Sequence, residues 1–384
     1  MLEVLDLHRQ AYNVLLAEFT KWDSITKYEL QSLLPDLKIA DHRFQQVHSK
    51  ALQMENYRLF SNLKALGESK KKGRKVGKLR FKGKGWFKTI TYNQSGFKII
   101  NTSKRLQTLR LSKIGNIPIR IHSGKGKNKR IIKGTVKQVT IKREQSGKWY
   151  ASIVEETKQK PKQAGIKNVV GIDLGLTDTV WDSDNHKITN PRHLQKGSDK
   201  LAKLQRKLSR KKKGSNNRAK AKLSVARQHE KVANIRDDFA HKTSRYYVDN
   251  YDIIGMEDMQ LQAFIKHNRL AKHMLDACWG KLRQYITYKA ESAGKVCLLV
   301  DHKGTTQRCH NCQTKVEKNL GDRQHTCPSC GIDIPRDYNS ALEIKRLTLQ
   351  KIGQGLPETT PAEMEPTPLQ GRVSSKKQEA PCES

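Results

Sequence analysis

The sequence predicts an α+β multidomain protein. It reads as a helical plus β-barrel N-terminal lobe, an α/β domain with a cysteine ribbon spliced into it, and a disordered C-terminal tail. Three observations carry this. The apolar period changes from helical to two near Thr89 and back to mixed α/β after Val169. Two CxxC pairs interrupt the last third of the chain. After Gly353 the composition turns to Pro, Glu, Thr and Ser with no aromatic residue.

Residues 1–67 read as a helical region. Leu2, Leu5, Tyr12, Leu15, Leu16 and Phe19 recur at helical spacing. A second helical stretch is expected from Asp41 to Leu66, with breaks at Asp23-Ser24 and Leu34-Pro35. Residues 68–156 read as a basic β-barrel region that binds nucleic acid. Its entry, from Glu68 to Trp86, mixes cations with glycine and the landmarks Leu79, Phe81 and Trp86. Lys70, Lys71, Lys72, Arg74, Arg80, Lys82 and Lys84 are candidates for phosphate neutralisation, and Trp86 for stacking on a base or sugar. The alternative for such a segment is a solvated connecting loop.

From Thr89 to Glu155 alternation dominates, as in Ile117, Ile119 and Ile121, in Val139 and Ile141, and in Trp149, Ala151 and Ile153. Turn signals at Ser95-Gly96, Gly115-Asn116, Ser123-Gly124 and Ser146-Gly147 divide it into the strands of a small antiparallel barrel or sandwich. Gly124 to Arg130 is expected as an exposed basic loop, and 157–167 as a linker.

The α/β domain is expected over 168–304 and 332–350, with the ribbon at 305–331 and the tail at 353–384. Strands are expected at Val169–Leu174, Ile253–Met256 and Lys295–Val300, and a hairpin around Asp184-Asn185. Two long helices are expected between Lys200 and Tyr247, an amphipathic helix over Ala271–Ala293, and a last helix from about Asn339. Arg210, Lys211 and Lys212 form a cationic tip between the two long helices, a further candidate for nucleic-acid contact.

Charge narrows the function. Lys plus Arg number 75 against 37 acids, a formal charge of +38 over 384 residues. An excess of this size calls for an extended polyanion as partner. No run approaches the roughly 18 apolar residues of a spanning helix, and no signal peptide opens the chain. The expectation is a soluble, cytoplasmic nucleic-acid binder with no membrane partner. Of seven cysteines, Cys278 and Cys297 read as small core residues and Cys382 as incidental in the tail.

Three acids stand at the ends of regular elements. Asp173 closes VVGID, Glu257 follows IIGM, and Asp337 sits in PRDYNSA just before a helix. Such carboxylates can converge on one pocket, and hard oxygen ligands suit Mg²⁺ or Mn²⁺. Two ions about 4 Å apart would serve the attacking water and the leaving oxygen of a phosphodiester. Asp178, Asp258 and Asp333 read as supporting or surface groups.

The remaining cysteines, Cys309, Cys312, Cys327 and Cys330, form two pairs with fourteen residues between them. Two CxxC turns complete a closed tetrahedral zinc site with no open position, so this zinc is expected to be structural. His310 and His325 stand nearby, but four thiolates suffice.

These residues resemble a known family. The runs GIDLGLTDTV and IIGMEDMQ, the helix WGKLRQYITYKAESAG from Trp279, the stretch His302 to Cys309, and the segment through CHNC, CPSC and RDYNSALEI are similar to TnpB. So is HKTSRYY from His241. TnpB is the OrfB-type protein of insertion sequences, related to type V CRISPR effectors. The likeness covers about 165–350 closely and 68–155 more loosely. It implies an RNase H-like (RuvC) nuclease domain with an inserted zinc ribbon. It also implies a transposon-encoded RNA-guided DNA endonuclease of bacterial or archaeal origin, which holds a guide RNA from the transposon end in its basic barrel and helices and is aimed by it at double-stranded DNA. By motif position the catalytic acids fall on Asp173, Glu257 and Asp337, and the zinc ligands on the four cysteines. Arg336 and Asn339 are then candidates to orient the scissile phosphate or the last acid. Family members usually open with a Tyr/Arg-rich strand, whereas this chain begins with Met1-Leu-Glu, already inside the first helix. Two other readings stay open: an RNA-guided DNA binder that does not cut, and an RNA-independent transposase or resolvase.

Overall fold

The computed structural model describes residues 1–22, 24–100, 106–121, 132, 134–156, 167–259, 271–301, 303–319 and 321–353. The expected Gly124–Arg130 loop, nearly all of the 157–167 linker, Asp23, and the tail with Cys382 lie outside them. The described chain divides into two compact units, broken between residues 158 and 159. Among the described residues, no helix is long and apolar enough to cross a membrane.

The first unit begins with α1 (Leu2–Lys21), α2 (Lys27–Ala40) and α3 (Ser49–Lys71). The apolar stripe of α1 is buried through Leu5, Tyr12, Leu15 and Leu16, as its spacing requires. Thr26 starts α2 with a capping box, its hydroxyl accepting from Glu29 N while the Glu29 carboxylate accepts from Thr26 N. The expected break at Leu34-Pro35 does not occur, because α2 continues through Pro35 to Ala40. Burial of Leu30 and Leu34 in the core offsets the hydrogen bond that proline removes. The second interruption falls at Asp41, whose carboxylate caps a 3₁₀ turn at His42–Gln46. The helix expected from Asp41 therefore starts only at Ser49, and it runs to Lys71, into the basic segment.

Six strands follow: β1 (Thr89–Asn93), β2 (Phe97–Ile100), β3 (Gln107–Leu111), β4 (Gly115–Ile119), β5 (Thr135–Arg143) and β6 (Trp149–Glu156). They pair as two antiparallel sheets, β1-β5-β6 and β2-β3-β4, and no described pairing joins one to the other. Both sheets and the three helices share one core, where Tyr92, Leu109, Leu111 and Val139 are all buried. The expected turn at Gly115-Asn116 lies one step earlier, since Gly115 already opens β4.

The second unit is built on a five-stranded mixed sheet in the order β11-β10-β7-β8-β9. Its strands are β7 (Val169–Asp173), β8 (Asp178–Asp182), β9 (Lys187–Thr189), β10 (Ile253–Glu257) and β11 (Val296–Val300). β7, β10 and β11 run parallel, while β8 and β9 form the expected hairpin. Helices α4 (His193–Ser209) and α5 (Asn216–Asn250) make a long hairpin between β9 and β10. The single helix expected over Ala271–Ala293 is two helices, α6 (Ala271–Asp276) and α7 (Trp279–Ser292). Cys278 breaks them apart with φ 60, and it is buried at the junction rather than on a helix face. A small hairpin of β12 (Gln324–Thr326) and β13 (Asp333–Pro335) leads into α8 (Arg336–Gly353).

Side chains alternate between the faces of a strand, so Val170 and Ile172 face one way with Ile254 and Met256. That face packs on Tyr247, Val248, Leu282 and Ile286 of α5 and α7. Gly171 and Gly255 face the other way and sit side by side in the parallel register. There α8 lies against the sheet at backbone range. A Cβ on Gly171 would stand 2.2 Å from the Ala341 carbonyl oxygen, and one on Gly255 would stand 1.9 Å from Thr348 Oγ1. Two bare positions in adjacent strands let the helix sink this deep.

Gly171→Val and Gly255→Val are each expected to destabilise the protein by about 1–3 kcal/mol, the usual cost of overpacking. For a unit of this size that is a fall in Tm of roughly 2–12 °C in thermal denaturation. A Tm unchanged in both variants would show that α8 does not depend on this approach.

Candidate active site and metal centre

Asp173 and Glu257 are the next residues on the same face as Gly171 and Gly255, two positions on in each strand. The register pairs Ile172 with Met256, so the two acids end neighbouring parallel strands together. Helix α8 runs back along this face. Its contacts lie at Ala341 and Lys345 over Gly171, while its first-turn acid Asp337 reaches the loop after β7, with Oδ2 3.9 Å from the Cβ position of Gly175. Asp337 is thus inside the helix, not before it, and the three acids converge at the carboxyl ends of β7 and β10. Ligand sites of open α/β sheets favour this location.

Each acid has a support. Thr305, itself buried, donates from Oγ1 to Glu257 Oε1 at 2.5 Å. Arg336 donates from Nε and Nη2 to Asp337 Oδ1 at 3.0 and 2.9 Å, and from Nη1 to the Asp322 carbonyl at 2.8 Å. Trp279 Nε1 donates to the Gly175 carbonyl at 3.0 Å and so holds the loop that follows Asp173. Burial pushes the Asp173 carboxyl well above its ordinary range, and the charges of Glu257 and Asp337 add to the shift. A buried Asp173 carboxylate beside the charges of Glu257 and Asp337 calls for a counter-cation. The donor set therefore fits hard divalent cations. Among the described residues the acids do not close as tightly as the cysteines do.

Arg336 meets the expectation of orienting the last acid. The bonds of Asn339 go to the cysteine ribbon and not to Asp337. The residue is fully buried, its Oδ1 accepts from His310 N at 3.1 Å, and its Nδ2 donates to the Arg308 carbonyl at 2.8 Å. Asn339 thereby staples α8 to the first cysteine turn. One turn on, buried Glu343 accepts from Arg308, Gln313 and Arg346. Asp258 pairs with Arg283 and Asp333 accepts from Thr326, both exposed, within the expectation of supporting or surface groups.

The four thiols lie within 4.8 Å of one another, with Cys309–Cys330 at 3.7 Å and Cys312–Cys327 at 3.5 Å. A tetrahedron with metal–sulfur distances of about 2.3 Å has edges of about 3.8 Å, so the cluster fits one tetrahedral ion. Both turns are built alike. Cys309 N bonds the Thr314 carbonyl at 3.0 Å and Cys327 N the Ile332 carbonyl at 2.8 Å. The residue four after each leading cysteine, Gln313 or Gly331, takes a positive φ. The Thr314 hydroxyl and backbone lower the Cys312 thiol to about 6, while burial pushes the Cys309 thiol up to about 11, so it is Cys312 that offers its thiolate most readily.

The candidate nucleic-acid residues divide between the units. In the first, Lys70 and Lys71 end α3, Lys72 caps it, and Arg74, Arg80 and Lys84 are exposed. Lys82 is half-buried, and Trp86 is 65 % exposed. In the second, Arg210, Lys211 and Lys212 form the turn between α4 and α5. That turn is fixed by Arg218, which donates to the Leu208 and Lys211 carbonyls at 3.0 and 2.9 Å. Lys203, Arg206, Lys207, Arg210 and Lys211 line one open cleft along this helix. Thr305, Glu343 and the paired glycines were not found by sequence reasoning, and Asn339 was found in a different role. A glycine at the same place in VVGID and IIGME was the available signal for the glycines. The polar supports carried none.

The Asp173 shift sets a pH dependence. Its folded pKa lies above the unfolded one, so between the two the fold holds a proton that the unfolded chain has released. Stability of the Mg²⁺-free protein falls as pH rises through that window and stays low above it. Asp173→Asn removes the effect. In zinc-containing, Mg²⁺-free buffer the variant is expected to melt above the wild type at pH 8, with the gap closing near pH 4. A variant that melts lower at pH 8 would contradict the strained triad.

Comparison with known proteins places the chain. Residues 152–268 match the OrfB_IS605 family, described as "Probable transposase", and residues 279–344 match the Cas12f1-like TNB domain. A Streptomyces pristinaespiralis protein, "Putative RNA-guided DNA endonuclease", is 38 % identical over 54 % of this chain, an alignment spanning 51 % of its own length. "Putative RNA-guided DNA endonuclease InsQ" of Escherichia coli K12 is 31 % identical over 76 % of this chain and 74 % of its own. The Cas12f1 chain of a solved Cas12f1-sgRNA-target DNA complex shares the fold, with TM-score 0.55 and 13 % identity. It matches 90 % of this chain and 81 % of that one. The E. coli match, covering most of both chains, shows that this chain belongs to the OrfB/TnpB family.

Proposed function

We propose that the chain is a transposon-associated RNA-guided DNA endonuclease that hydrolyses phosphodiesters at Asp173, Glu257 and Asp337. The observation that carries this is the convergence of three supported carboxylates at the ends of two parallel strands beneath α8, with Asp173 held above its ordinary range. The relatives' names and the Cas12f1 complex with sgRNA and target DNA support the guide and the target as partners. A guide from the transposon end and a double-stranded target complete the reading.

Asp173, Glu257 and Asp337 would hold Mg²⁺ or Mn²⁺, as a pair of ions. Such ions supply an activated water and charge stabilisation at the leaving oxygen. The chain's own task is to keep three carboxylates aimed at one place. Thr305 fixes the carboxylate of Glu257, Arg336 holds that of Asp337, and Trp279 fixes the loop beyond Asp173. Cys309, Cys312, Cys327 and Cys330 would hold Zn²⁺ with no position left for substrate, a structural ion. The cations Lys70, Lys71, Lys72, Arg74, Arg80, Lys82 and Lys84, and Arg210, Lys211 and Lys212, would neutralise phosphates, and base pairing with the guide would choose the sequence. Strands β1 to β6 would form the wall of a barrel that grips the guide.

With transposon-end RNA and Mg²⁺, the purified protein is expected to cut a matched duplex. Asp173→Ala should lower cutting by at least about a thousandfold while RNA binding, read by gel shift, is retained. Cutting that survives this substitution would refute the assigned site. Protein that purifies without an RNA of discrete length and cuts transposon ends unaided would favour the RNA-independent reading.

A further inference from the structure

The segment from Ser69 to Lys88 holds ten cations and no acid. Its middle is held still. The amide of Asn13 grips the Lys82 peptide from both sides, with Asn13 Oδ1 accepting from Lys82 N at 2.8 Å and Asn13 Nδ2 donating to the Lys82 carbonyl at 3.0 Å. Arg9 Nη1 donates to the same carbonyl at 3.0 Å. Leu79 packs on the core before this clamp. After it, Phe87 is buried with its ring 5.6 Å from Tyr12 and the Arg58 guanidinium 4.6 Å away.

Between these anchors the chain makes a turn. Trp86 N donates to the Gly83 carbonyl at 3.1 Å, and Gly85 takes φ +75, the geometry of a type II turn with glycine at its third position. The result is two large rings on a fixed backbone facing water, Phe81 at 61 % and Trp86 at 65 % exposure. Lys82 Nζ stands 5.3 Å from the Trp86 ring, and Arg80 and Lys84 are exposed beside it. The carboxylate near Lys84 is that of Asp6, already bonded to Arg9 and Gln10.

We infer that Phe81 and Trp86 form a stacking platform for unpaired bases of RNA, with Arg80, Lys82 and Lys84 on the adjoining phosphates. The charge is complementary to a polyanion, and an aromatic face suits a base without regard to its identity. Unpaired RNA is the fitting occupant. Protein recognition of RNA centres on unstacked loops and ends, whereas duplex DNA shows no open base face until it has been opened. This rests on the RNA-guided reading above, and it assigns a particular surface to unpaired guide nucleotides.

The test is equilibrium binding of the full-length protein to a 16-nucleotide oligo-rU, to oligo-dT of the same length, and to a duplex. No cleavage is needed, so its outcome is separate from the fate of the nuclease assignment. Phe81→Ala and Trp86→Ala are each expected to weaken rU binding by about 5- to 150-fold, the stacking contribution of one base. The slope of log affinity against log salt should be unchanged in both, and duplex binding should hold. Lys84→Ala should instead reduce that slope by about 0.7. Trp86→Tyr should recover most of the lost affinity, and the exposed rings predict an unchanged Tm in every variant. Unchanged rU affinity in both aromatic variants would overturn the platform. A larger loss on dT than on rU would overturn its assignment to RNA.

Discussion

The approach of α8 to the central sheet is the constraint on which the candidate site depends. Two glycines in register on adjacent strands remove the side chains that would otherwise stand between strand and helix. Sheet-to-helix packing normally keeps an interposed layer of side chains, and here a carbonyl of α8 occupies that layer. Because Asp337 lies one turn before Ala341, this seating brings a carboxylate from a different element alongside Asp173 and Glu257. The cost is electrostatic. Asp173 is buried among like charges, while α5 and α7 pack the opposite face of the same strands with apolar side chains.

The cysteine ribbon bears on the same geometry from the other end. Asn339 bonds to the backbone of the Cys309 turn, Glu343 accepts from Arg308 and Gln313 beside it, and Thr305 at the ribbon's entrance holds Glu257. Arg336 leaves β13 and reaches back to the Asp322 carbonyl while holding Asp337. Two of the three acids are thus braced by residues of the ribbon or its borders. With an ion on its four cysteines, a ribbon in this position would work as a rigid bracket for the acids. That accounts for its insertion directly before the acid it supports.

Much of this was legible in the sequence because it is local. Asp173 and Glu257 each end a short apolar run, and a run of that kind is a buried strand in an α/β domain. Cysteine spacing shows itself in the same way, since each turn is made by consecutive residues. What was not legible depends on tertiary context. Pro35 was expected to break a helix that burial of Leu30 and Leu34 carries through it. Cys278 sits in a continuous apolar pattern, yet the chain turns there so that Trp279 can reach the Gly175 carbonyl. Asn339 stands beside an acid in sequence, but the helical turn points it into the ribbon. The period of two in 89–155 showed the strands and not their grouping into two sheets, which is decided by long-range pairing.

The seating of α8, and not the presence of three acids alone, would create the divalent-cation site we propose. Mn²⁺ titration of the zinc-loaded full-length protein, followed by electron paramagnetic resonance, tests it most directly. The wild type is expected to take up Mn²⁺ at saturable sites, and Gly171→Val is expected to lose them as fully as Asp337→Asn does. Wild-type Mn²⁺ uptake in Gly171→Val would show that the acids form their site without the close seating of α8.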